Sequence, residues 1–358
     1  MPLNLEKNLD TILEAFPIDV YSTEKVEVKG LKRDTRIFKV DSKKSPLIPK
    51  NSSVGKPYLI DTLSGMEIAC HPHIVGKKLE KLCLNCAREL IKVMEVMDLW
   101  KDDNLAILQI LRGAPGYRIA EALQEKVPII SIRIQYRKGG YRSRFDDIRN
   151  IHIAYRDYSV IDSDTNEIST LLILDTYATG RSAEVAMNDL LEIGVKPRKI
   201  ILYGFISIPA LTRLGGLTSE NEIELVSFAI GNIMQLAHNN YDMPLYGLDE
   251  GLYSVTGELK HLGSIVDIET LKRYLPKYIA GLDQPGDWSE RQNTLFNGYG
   301  YENGDIYGHL IKSIKLIDSL RKINSKRSWY NDFHHDIASI ELEKLENTLE
   351  SYRKSNIS

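Results

Sequence analysis

The chain has few cysteines, little net charge and no long apolar run, and each shortage counts against a class of protein. Three cysteines occur among 358 residues, an odd number that argues against a disulfide framework. The formal net charge of -3 provides no overall attraction to nucleic acid or to an anionic membrane. No apolar run approaches the roughly 18 residues of a membrane helix, and the N-terminus is too polar for a secretory signal. We therefore expect a cytoplasmic protein with reduced thiols and no membrane partner, and the net charge argues against a nucleic-acid partner.

The chain has an ordinary globular composition and a regular alternation of apolar strands with helices. Hydrophobic residues make up 43% and charged residues 27% of the sequence. Six runs predict buried strands: NLAILQIL, PIISIRIQY, NIHIAY, TLLILD, KIILYGFISI and IELVSFAIG. Helical spacing of apolar residues separates several of them, as in RSAEVAMNDLLEIG. This order predicts an α/β fold with a mostly parallel sheet flanked by helices.

The two ends of the chain follow different patterns. Near the N-terminus, KVEVKG and TRIFKV are short strand-like runs with turn residues between them, which predicts a hairpin. Beyond residue 301 the apolar residues recur at three- and four-residue spacing, which predicts two helices. We expect an N-terminal β-containing extension over residues 1–70, an α/β domain over 71–300 with an insertion near 231–277, and a C-terminal helical extension over 301–358.

The segment LLILDTYATGRSAEVAMNDLL predicts a phosphate site. A buried strand ends at Asp175, and a short loop leads into a helix. Ligands of open α/β sheets bind at the carboxyl ends of strands, and a helix N-terminus attracts phosphate with its free N–H groups. Gly180 allows a close backbone approach, and Asp175 is placed to reach a ribose hydroxyl or a hydrated metal ion. The candidate phosphate-binding residues are Ala178, Thr179, Gly180, Arg181 and Ser182.

This segment resembles the signature of the type I phosphoribosyltransferases. That signature is an apolar strand, two acidic residues, two further residues, and a small residue followed by Thr-Gly-x-Ser/Thr. Asp175 matches the second acidic position, whereas Leu174 stands at the first. The resemblance implies that Asp175 holds ribose hydroxyls of phosphoribosyl pyrophosphate and that residues 178–182 hold its 5′-phosphate.

Two further segments resemble the pyrophosphate-binding parts of uracil phosphoribosyltransferases. The run ILRGAPG is similar to their pyrophosphate loop and contains Arg112, Gly113 and Ala114. The pair Tyr136-Arg137 is similar to a Tyr-Arg pair at the end of the following strand. The resemblance implies that Arg112 and Arg137 contact the pyrophosphate and that the basic run KGGYRSRFDD closes over the substrate.

The run YIAGLDQPGDWSE resembles the uracil loop of the same family. The glycines, the leucine and the final aspartate have the family spacing, whereas Asp283 and Gln284 depart from it and Ala280 replaces a proline. The resemblance implies a base loop formed by Ile279, Gly281, Leu282, Gly286 and Asp287. The resembling segments lie between residues 104 and 290 and cover roughly half of the chain.

Together these segments imply a transferase that joins the 5-phosphoribosyl group of phosphoribosyl pyrophosphate to a uracil-like base and releases pyrophosphate. The catalytic residues would be Asp175, Arg112 and Arg137, with Mg²⁺ as the cofactor and a homo-oligomer, expected as a homodimer, as the assembly. One alternative is a regulatory protein that binds phosphoribosyl pyrophosphate with the same fold. Another is an RNA-binding protein that uses the basic run, although the acidic net charge counts against it.

All three cysteines lie close together in the sequence. Cys70, His73, Cys83 and Cys86 have the spacing C-x2-H-x9-C-x2-C, which could supply four ligands to a structural zinc ion. Cys83 and Cys86 also fall in a helical pattern, where cysteine is a small core residue. Both interpretations stay open at the level of the sequence.

Overall fold

The computed structural model describes residues 5–100, 104–123, 127–136, 151–161 and 168–355. The first elements in chain order are α1 (Leu5–Ala15), β1 (Thr23–Val26), β2 (Arg36–Val40), β3 (Lys56–Asp61), α2 (Leu63–Cys70) and α3 (Gly76–Val96). Strands β1 and β2 pair antiparallel, so the predicted N-terminal hairpin is confirmed. Helix α2 begins where the Thr62 hydroxyl accepts a hydrogen bond from the Gly65 N–H.

The central part of the chain carries the alternating strands and helices. They are β4 (Leu105–Leu111), a 3₁₀ helix (Ala114–Tyr117), α4 (Ile119–Ala122), β5 (Ile129–Tyr136), β6 (Ile151–Asp157), β7 (Thr170–Leu174), α5 (Arg181–Glu192), β8 (Lys199–Ser207), α6 (Ile208–Glu220) and β9 (Glu224–Met234). All six predicted strands are present.

The last part of the chain is mostly helical. Its elements are β10 (Gly247–Leu248), α7 (Glu250–Thr256), β11 (His261–Leu262), β12 (Ser264–Val266), α8 (Ile268–Tyr274), β13 (Leu295–Phe296), β14 (Tyr301–Glu302), α9 (Ile306–Asn324) and α10 (Asp332–Ser355). Both predicted C-terminal helices are therefore confirmed. No helix within the described ranges has both the length and the apolar character needed to cross a lipid bilayer.

One large sheet organises the described part of the chain, with strand order β1-β2-β3-β9-β8-β7-β4-β5-β6 and β12 beside β9. The six strands from β3 to β5 in this order run parallel to one another. Strands β2, β6 and β12 pair antiparallel with the parallel set. The predicted α/β architecture with a mostly parallel sheet and helical ends is therefore confirmed.

The N-terminal strands belong to this same sheet, because β3 pairs parallel with β9 from Lys56 to Ile60. The sequence predicts residues 1–70 as an extension, and in the structure its strands continue the central sheet. The insertion predicted near 231–277 begins inside β9 and includes β12, which pairs with β9. The division of the chain into three parts stays a prediction.

The sheet separates two hydrophobic cores. On one face, apolar side chains of α5 and α6 pack against the strands. On the other face, the core is formed with side chains from α1, α2, α3, α8, α9 and α10. Residues of β7 alternate between the two cores, so that Leu171 and Ile173 face α5 while Leu172 and Leu174 face α3. This alternation fixes which side chains near the end of β7 are available to a ligand.

Candidate functional site

A cavity of about 190 Å³ lies at the carboxyl ends of β4, β5 and β7, which are neighbours in the sheet. Because the three strands run parallel, their carboxyl ends meet at one edge. The lining residues come from segments far apart in the chain: Ile110, Leu111, Arg112, Gly113, Ile134, Asp175, Thr176, Ala178, Ser182, Tyr241, Pro285, Trp288 and Ser289. Three of the four segments singled out in the sequence therefore reach the cavity with described side chains.

Asp175 follows β7 directly and lines the cavity. Its Oδ1 accepts a hydrogen bond from the Thr176 N–H at 2.8 Å. Burial raises the pKa of the Asp175 carboxyl to about 7, and this single backbone hydrogen bond only partly offsets the effect. Asp175 is therefore a carboxyl group that changes charge near neutral pH inside the cavity.

Leu174, at the position where the resembling family has its first acidic residue, is completely buried in the core shared with α3. The strand alternation turns this side chain away from the cavity. Among the described residues that line the cavity, Asp175 is the one carboxylate.

The loop at residues 178–182 leads into the N-terminus of α5. Gly180 has φ +74°, and a Cβ at this position would lie 2.9 Å from the Ala210 Cα, so glycine is required by both backbone and packing. Ala178 and Ser182 line the cavity, while Arg181 is buried. The Thr179 hydroxyl accepts from the Arg181 N–H at 3.4 Å.

Arg213 of α6 holds this loop from the outside. Its Nε donates to the Thr179 carbonyl at 2.9 Å, and its Nη1 pairs with Glu184 at 2.9 Å. Helix α5 begins directly after this loop, so the positive end of its dipole lies beside the cavity residues Ala178 and Ser182.

Arg112, Gly113 and Ala114 follow β4, and the first two line the cavity. The peptide bond between Leu111 and Arg112 is cis. The Gly113 carbonyl accepts from the indole N–H of Trp288 at 3.0 Å, and Ala114 is completely buried at the start of the 3₁₀ helix. Arg112 reaches the cavity, but its guanidinium is paired with Glu290 at 2.5 Å and with Glu302 at 2.6 Å.

Of the Tyr136-Arg137 pair, only Tyr136 belongs to the described residues. Tyr136 is the last residue of β5, and Ile134 of the same strand lines the cavity. Arg137 and the basic run at 138–147 lie outside the described residues, so their predicted contacts with pyrophosphate and substrate stay predictions.

The residues predicted to form the base loop do not line the cavity. Ile279 and Leu282 are buried in the core, and the Gly281 N–H donates to the Tyr246 carbonyl at 2.8 Å. Gly286 is half-buried, and Asp287 pairs with Lys312 at 3.4 Å. None of these five residues lines the cavity.

The cavity is lined instead by the neighbouring Pro285, Trp288 and Ser289, which the sequence analysis did not select. The Trp288 ring stacks on Tyr117 with centroids 4.6 Å apart. Trp288 directly follows the predicted base loop in the sequence, and this aromatic residue is a signal for a ligand-contacting position. Tyr241, which also lines the cavity, lies in the predicted insertion and had no recognisable signal.

Arg291 fastens this downstream loop to the connection between α2 and α3. It is 1% exposed, and its guanidinium donates to the Ile68, His71, Ile74 and Pro285 carbonyls at 3.0 to 3.1 Å. Burial lowers the pKa of Arg291 to about 10, so the side chain stays charged at neutral pH. A buried hydrogen bond from the charged Arg291 guanidinium therefore helps to position Pro285 beside the cavity.

The predicted zinc ligands are not assembled. Cys70, Cys83 and Cys86 are free and buried, and burial raises the thiol pKa of all three, that of Cys86 to about 11. Helix α3 directs Cys83 and Cys86 into the core, where the Cys86 sulfur lies 3.5 Å from the Thr62 hydroxyl. Over the described ranges, the one group of three or more possible metal ligands is His71, His73 and Glu341. The core interpretation of the cysteines agrees with this arrangement, and His73 has other partners.

Comparisons with known proteins leave the family of the chain open. No family model matches the sequence. No curated protein matches it either. Among solved structures, the chain is similar to a hypoxanthine phosphoribosyltransferase from Staphylococcus aureus, with 13% identity and a TM-score of 0.26, over 42% of this chain and 74% of that chain. A TM-score of this size does not assign the chain to a family.

Proposed function

We propose that the protein is a phosphoribosyltransferase that transfers the 5-phosphoribosyl group of phosphoribosyl pyrophosphate to a uracil-like base. The observation that carries this proposal is the shared cavity of Arg112, Asp175 and the start of α5. Arg112 is far from the other two groups in the chain, and each of the three has a chemistry suited to a different part of the sugar donor. The uracil-like base follows from the sequence resemblance alone.

The 5′-phosphate would bind at the loop 178–182. Gly180 brings the backbone close, and the N-terminus of α5 presents the positive end of its helix dipole. Ser182 lines the cavity and adds a hydroxyl donor. Arg213 keeps the loop in position through the Thr179 carbonyl.

The ribose would lie against Asp175. An ionised Asp175 accepts hydrogen bonds from ribose hydroxyls and favours positive charge on the ring as the bond to pyrophosphate breaks. Mg²⁺ fits this donor set, because it needs few protein ligands and binds carboxylate oxygen, and Asp175 is the residue that would hold it. When bound, Mg²⁺ neutralises charge on the departing pyrophosphate.

The pyrophosphate would contact Arg112, with Arg137 as the second predicted contact. The guanidinium of Arg112 would then break its ion pair with Glu290 or Glu302 and bind phosphate oxygens instead. The base would enter beside Pro285, Trp288 and Ser289. In the reaction the C1′–oxygen bond to pyrophosphate breaks and a C1′–nitrogen bond forms, with loss of the proton from that nitrogen.

The test is release of pyrophosphate from phosphoribosyl pyrophosphate with Mg²⁺ and a panel of bases that includes uracil and hypoxanthine. We expect one base to give turnover and Asp175→Asn to lower kcat by roughly 100-fold or more, because ribose stabilisation is lost. Asp336→Asn, on the exposed surface of α10, is the matched control. Wild-type rates in Asp175→Asn would refute the assigned role.

A regulatory protein that binds phosphoribosyl pyrophosphate without turnover is the second candidate. Two observations favour it: Leu174 is buried where the family has a carboxylate, and Arg112 is engaged by two glutamates. Saturable binding without pyrophosphate release for any base would support this candidate. The RNA-binding alternative rests on residues 138–147, which lie outside the described residues, and the expected homodimer stays a prediction.

A further inference from the structure

Two imidazole rings and one carboxylate meet where the connection between α2 and α3 contacts α10. The Nδ1 of His71 lies 2.7 Å from Oε2 of Glu341, and the Nδ1 of His73 lies 2.5 Å from Oε1. The potential ligand atoms of the three residues all lie within 4.8 Å of one another. None of these residues lines the cavity at the ends of β4, β5 and β7, so the cluster is separate from the proposed transferase site.

The cluster is largely shielded from water. Glu341 is 1% exposed and His71 is 7% exposed. A buried carboxylate needs hydrogen bonds or positive charge to offset its burial, and the two imidazole rings are its direct partners here. Of the described lysines and arginines, Lys344 pairs with Glu341, with its Nζ 4.0 Å from Oε2 and its side chain 44% exposed. A second positive charge would be well placed between the rings and the carboxylate.

We propose that His71, His73 and Glu341 form a binding site for a divalent transition-metal ion such as zinc. Two imidazole nitrogens and one carboxylate are a ligand set that zinc accepts, and a water would complete a tetrahedron. Ligand bonds of about 2.0 to 2.1 Å place neighbouring ligand atoms roughly 3.3 Å apart. The Nδ1 to carboxylate distances of 2.7 and 2.5 Å would therefore open by about 0.6 to 0.8 Å, which side-chain rotation can supply.

The proposed site has one residue in common with the cysteine-based set predicted from the sequence, namely His73. The three cysteine sulfurs do not belong to the cluster, and their buried thiols favour the protonated form. The proposed site therefore binds the metal ion through nitrogen and oxygen atoms and through no sulfur atom.

A bound ion would link elements that are 268 or more positions apart in the sequence. It would fasten the C-terminal helix α10 to the segment that Arg291 also holds through the His71 and Ile74 carbonyls. Because the same guanidinium contacts the Pro285 carbonyl, the metal site and the rim of the cavity share a buried support.

The test uses full-length protein without a histidine tag, stripped of metal with a chelator and titrated with zinc against a chromophoric competitor. We expect one equivalent of zinc per chain with a dissociation constant of roughly 1 μM or tighter, and a higher Tm with zinc than without it. Loading with Co²⁺ should give visible d–d bands without a thiolate-to-cobalt charge-transfer band. A thiolate band, or no stoichiometric ion, would overturn the proposal.

Variants distinguish a metal site from a hydrogen-bonded cluster. His73→Ala and Glu341→Gln should each weaken zinc binding by roughly 100-fold, whereas His335→Ala, exposed on the same helix, should not change it. Lys344→Met removes a nearby positive charge without removing a ligand and should tighten zinc binding about 3-fold. If the two ligand variants fail to fold, the Lys344 variant still decides: unchanged or weaker zinc binding contradicts the site.

Discussion

Arg112 and Glu290 form an ion pair at the edge of the cavity, with Nη2 2.5 Å from Oε1, and Glu302 engages the other end of the same guanidinium. Glu290 also accepts a hydrogen bond from the Asp305 N–H at 2.7 Å. The arginine that would bind pyrophosphate is therefore held by carboxylates that an anionic ligand would have to displace. The affinity of the site depends on how readily this exchange occurs.

Neutralising the two carboxylates should tighten binding of phosphoribosyl pyrophosphate. We expect the double variant Glu290→Gln/Glu302→Gln to lower the dissociation constant of phosphoribosyl pyrophosphate roughly 3- to 10-fold. The reason is that Arg112 no longer has to break two ion pairs before it binds the ligand. Isothermal titration calorimetry measures this change, with Glu220→Gln at the exposed end of α6 as the control. Weaker binding in the double variant would show that the glutamates help to position Arg112 for the ligand.

Asp175 should make the stability of the ligand-free protein depend on pH. Its pKa is about 7 in the folded state and near 3.8 in the unfolded chain, because burial disfavours the charged form. The unfolded chain therefore releases this proton first as pH rises from about 4 to 7, and the folded state loses stability over that window. Asp175→Asn removes the effect and should be as stable as wild type near pH 4.

Above pH 7, we expect Asp175→Asn to be more stable than wild type by on the order of 1 to 2 kcal/mol, since the cavity leaves Asp175 partly accessible to water. Urea unfolding at a series of pH values measures the difference, and Asp336→Asn is again the control. A difference that does not change between pH 4 and 8 would contradict the raised pKa.

Gly180 can be tested against a glycine of the same backbone conformation. Gly180 and Gly257 have φ of 74° and 73°, both with ψ near 1°, but a Cβ at Gly257 meets nothing within 4 Å. We expect Gly257→Ala to cost about 1 kcal/mol from the left-handed backbone alone. Gly180→Ala should cost roughly 2 to 3 kcal/mol, because the new methyl group also meets Ala210.

The substitutions Gly180→Ala and Gly257→Ala also distinguish an effect on ligand binding from an effect on stability. Gly180→Ala should weaken binding of phosphate-containing ligands roughly 10-fold or more, because it displaces the loop before α5, whereas Gly257→Ala should leave binding unchanged. Calorimetry and urea unfolding of both variants provide the comparison. Equal effects of the two substitutions on binding would show that the loop 178–182 does not contact the ligand.

Arg291 should be important for stability. Arg291→Met removes the guanidinium donor from the carbonyls of Ile68, Ile74 and Pro285, whereas the His71 carbonyl keeps the Ile74 N–H. We expect a loss of about 3 kcal/mol, since buried acceptors without partners are costly. Arg33→Met, at an exposed arginine between β1 and β2, is the control and should cost less than about 0.5 kcal/mol. A loss below 1 kcal/mol in Arg291→Met would contradict this role.

Several elements could be predicted because their signals are local. The run TLLIL is apolar after its first residue, and the structure buries all five residues of β7. The loop before α5 combines Thr179, Gly180 and Ser182, which favour a tight turn and a helix start. Helix α6 is absent from the sequence prediction, although Ser207 caps it through the Ala210 N–H and a proline follows.

Other features depend on contacts that sequence order does not reveal. The strand alternation decides that Leu174 faces the core and that Asp175 is the carboxylate left to the cavity. Sequence order also does not reveal which residues of the predicted base loop reach the cavity. Ile279 and Leu282 are core residues, whereas Pro285 and Trp288 line the cavity. The direction in which a loop residue points follows from packing against distant helices.

The sequence by itself determined the α/β class, the strand before Asp175 and the turn at Gly180, because periodicity and backbone preference act over a few neighbouring residues. Only the tertiary structure decided that Glu290 and Glu302 hold Arg112, and that Glu341 meets His71 and His73. These pairs are separated by 178 to 270 positions, and the folding of the sheet and its helices is what brings them within hydrogen-bond distance.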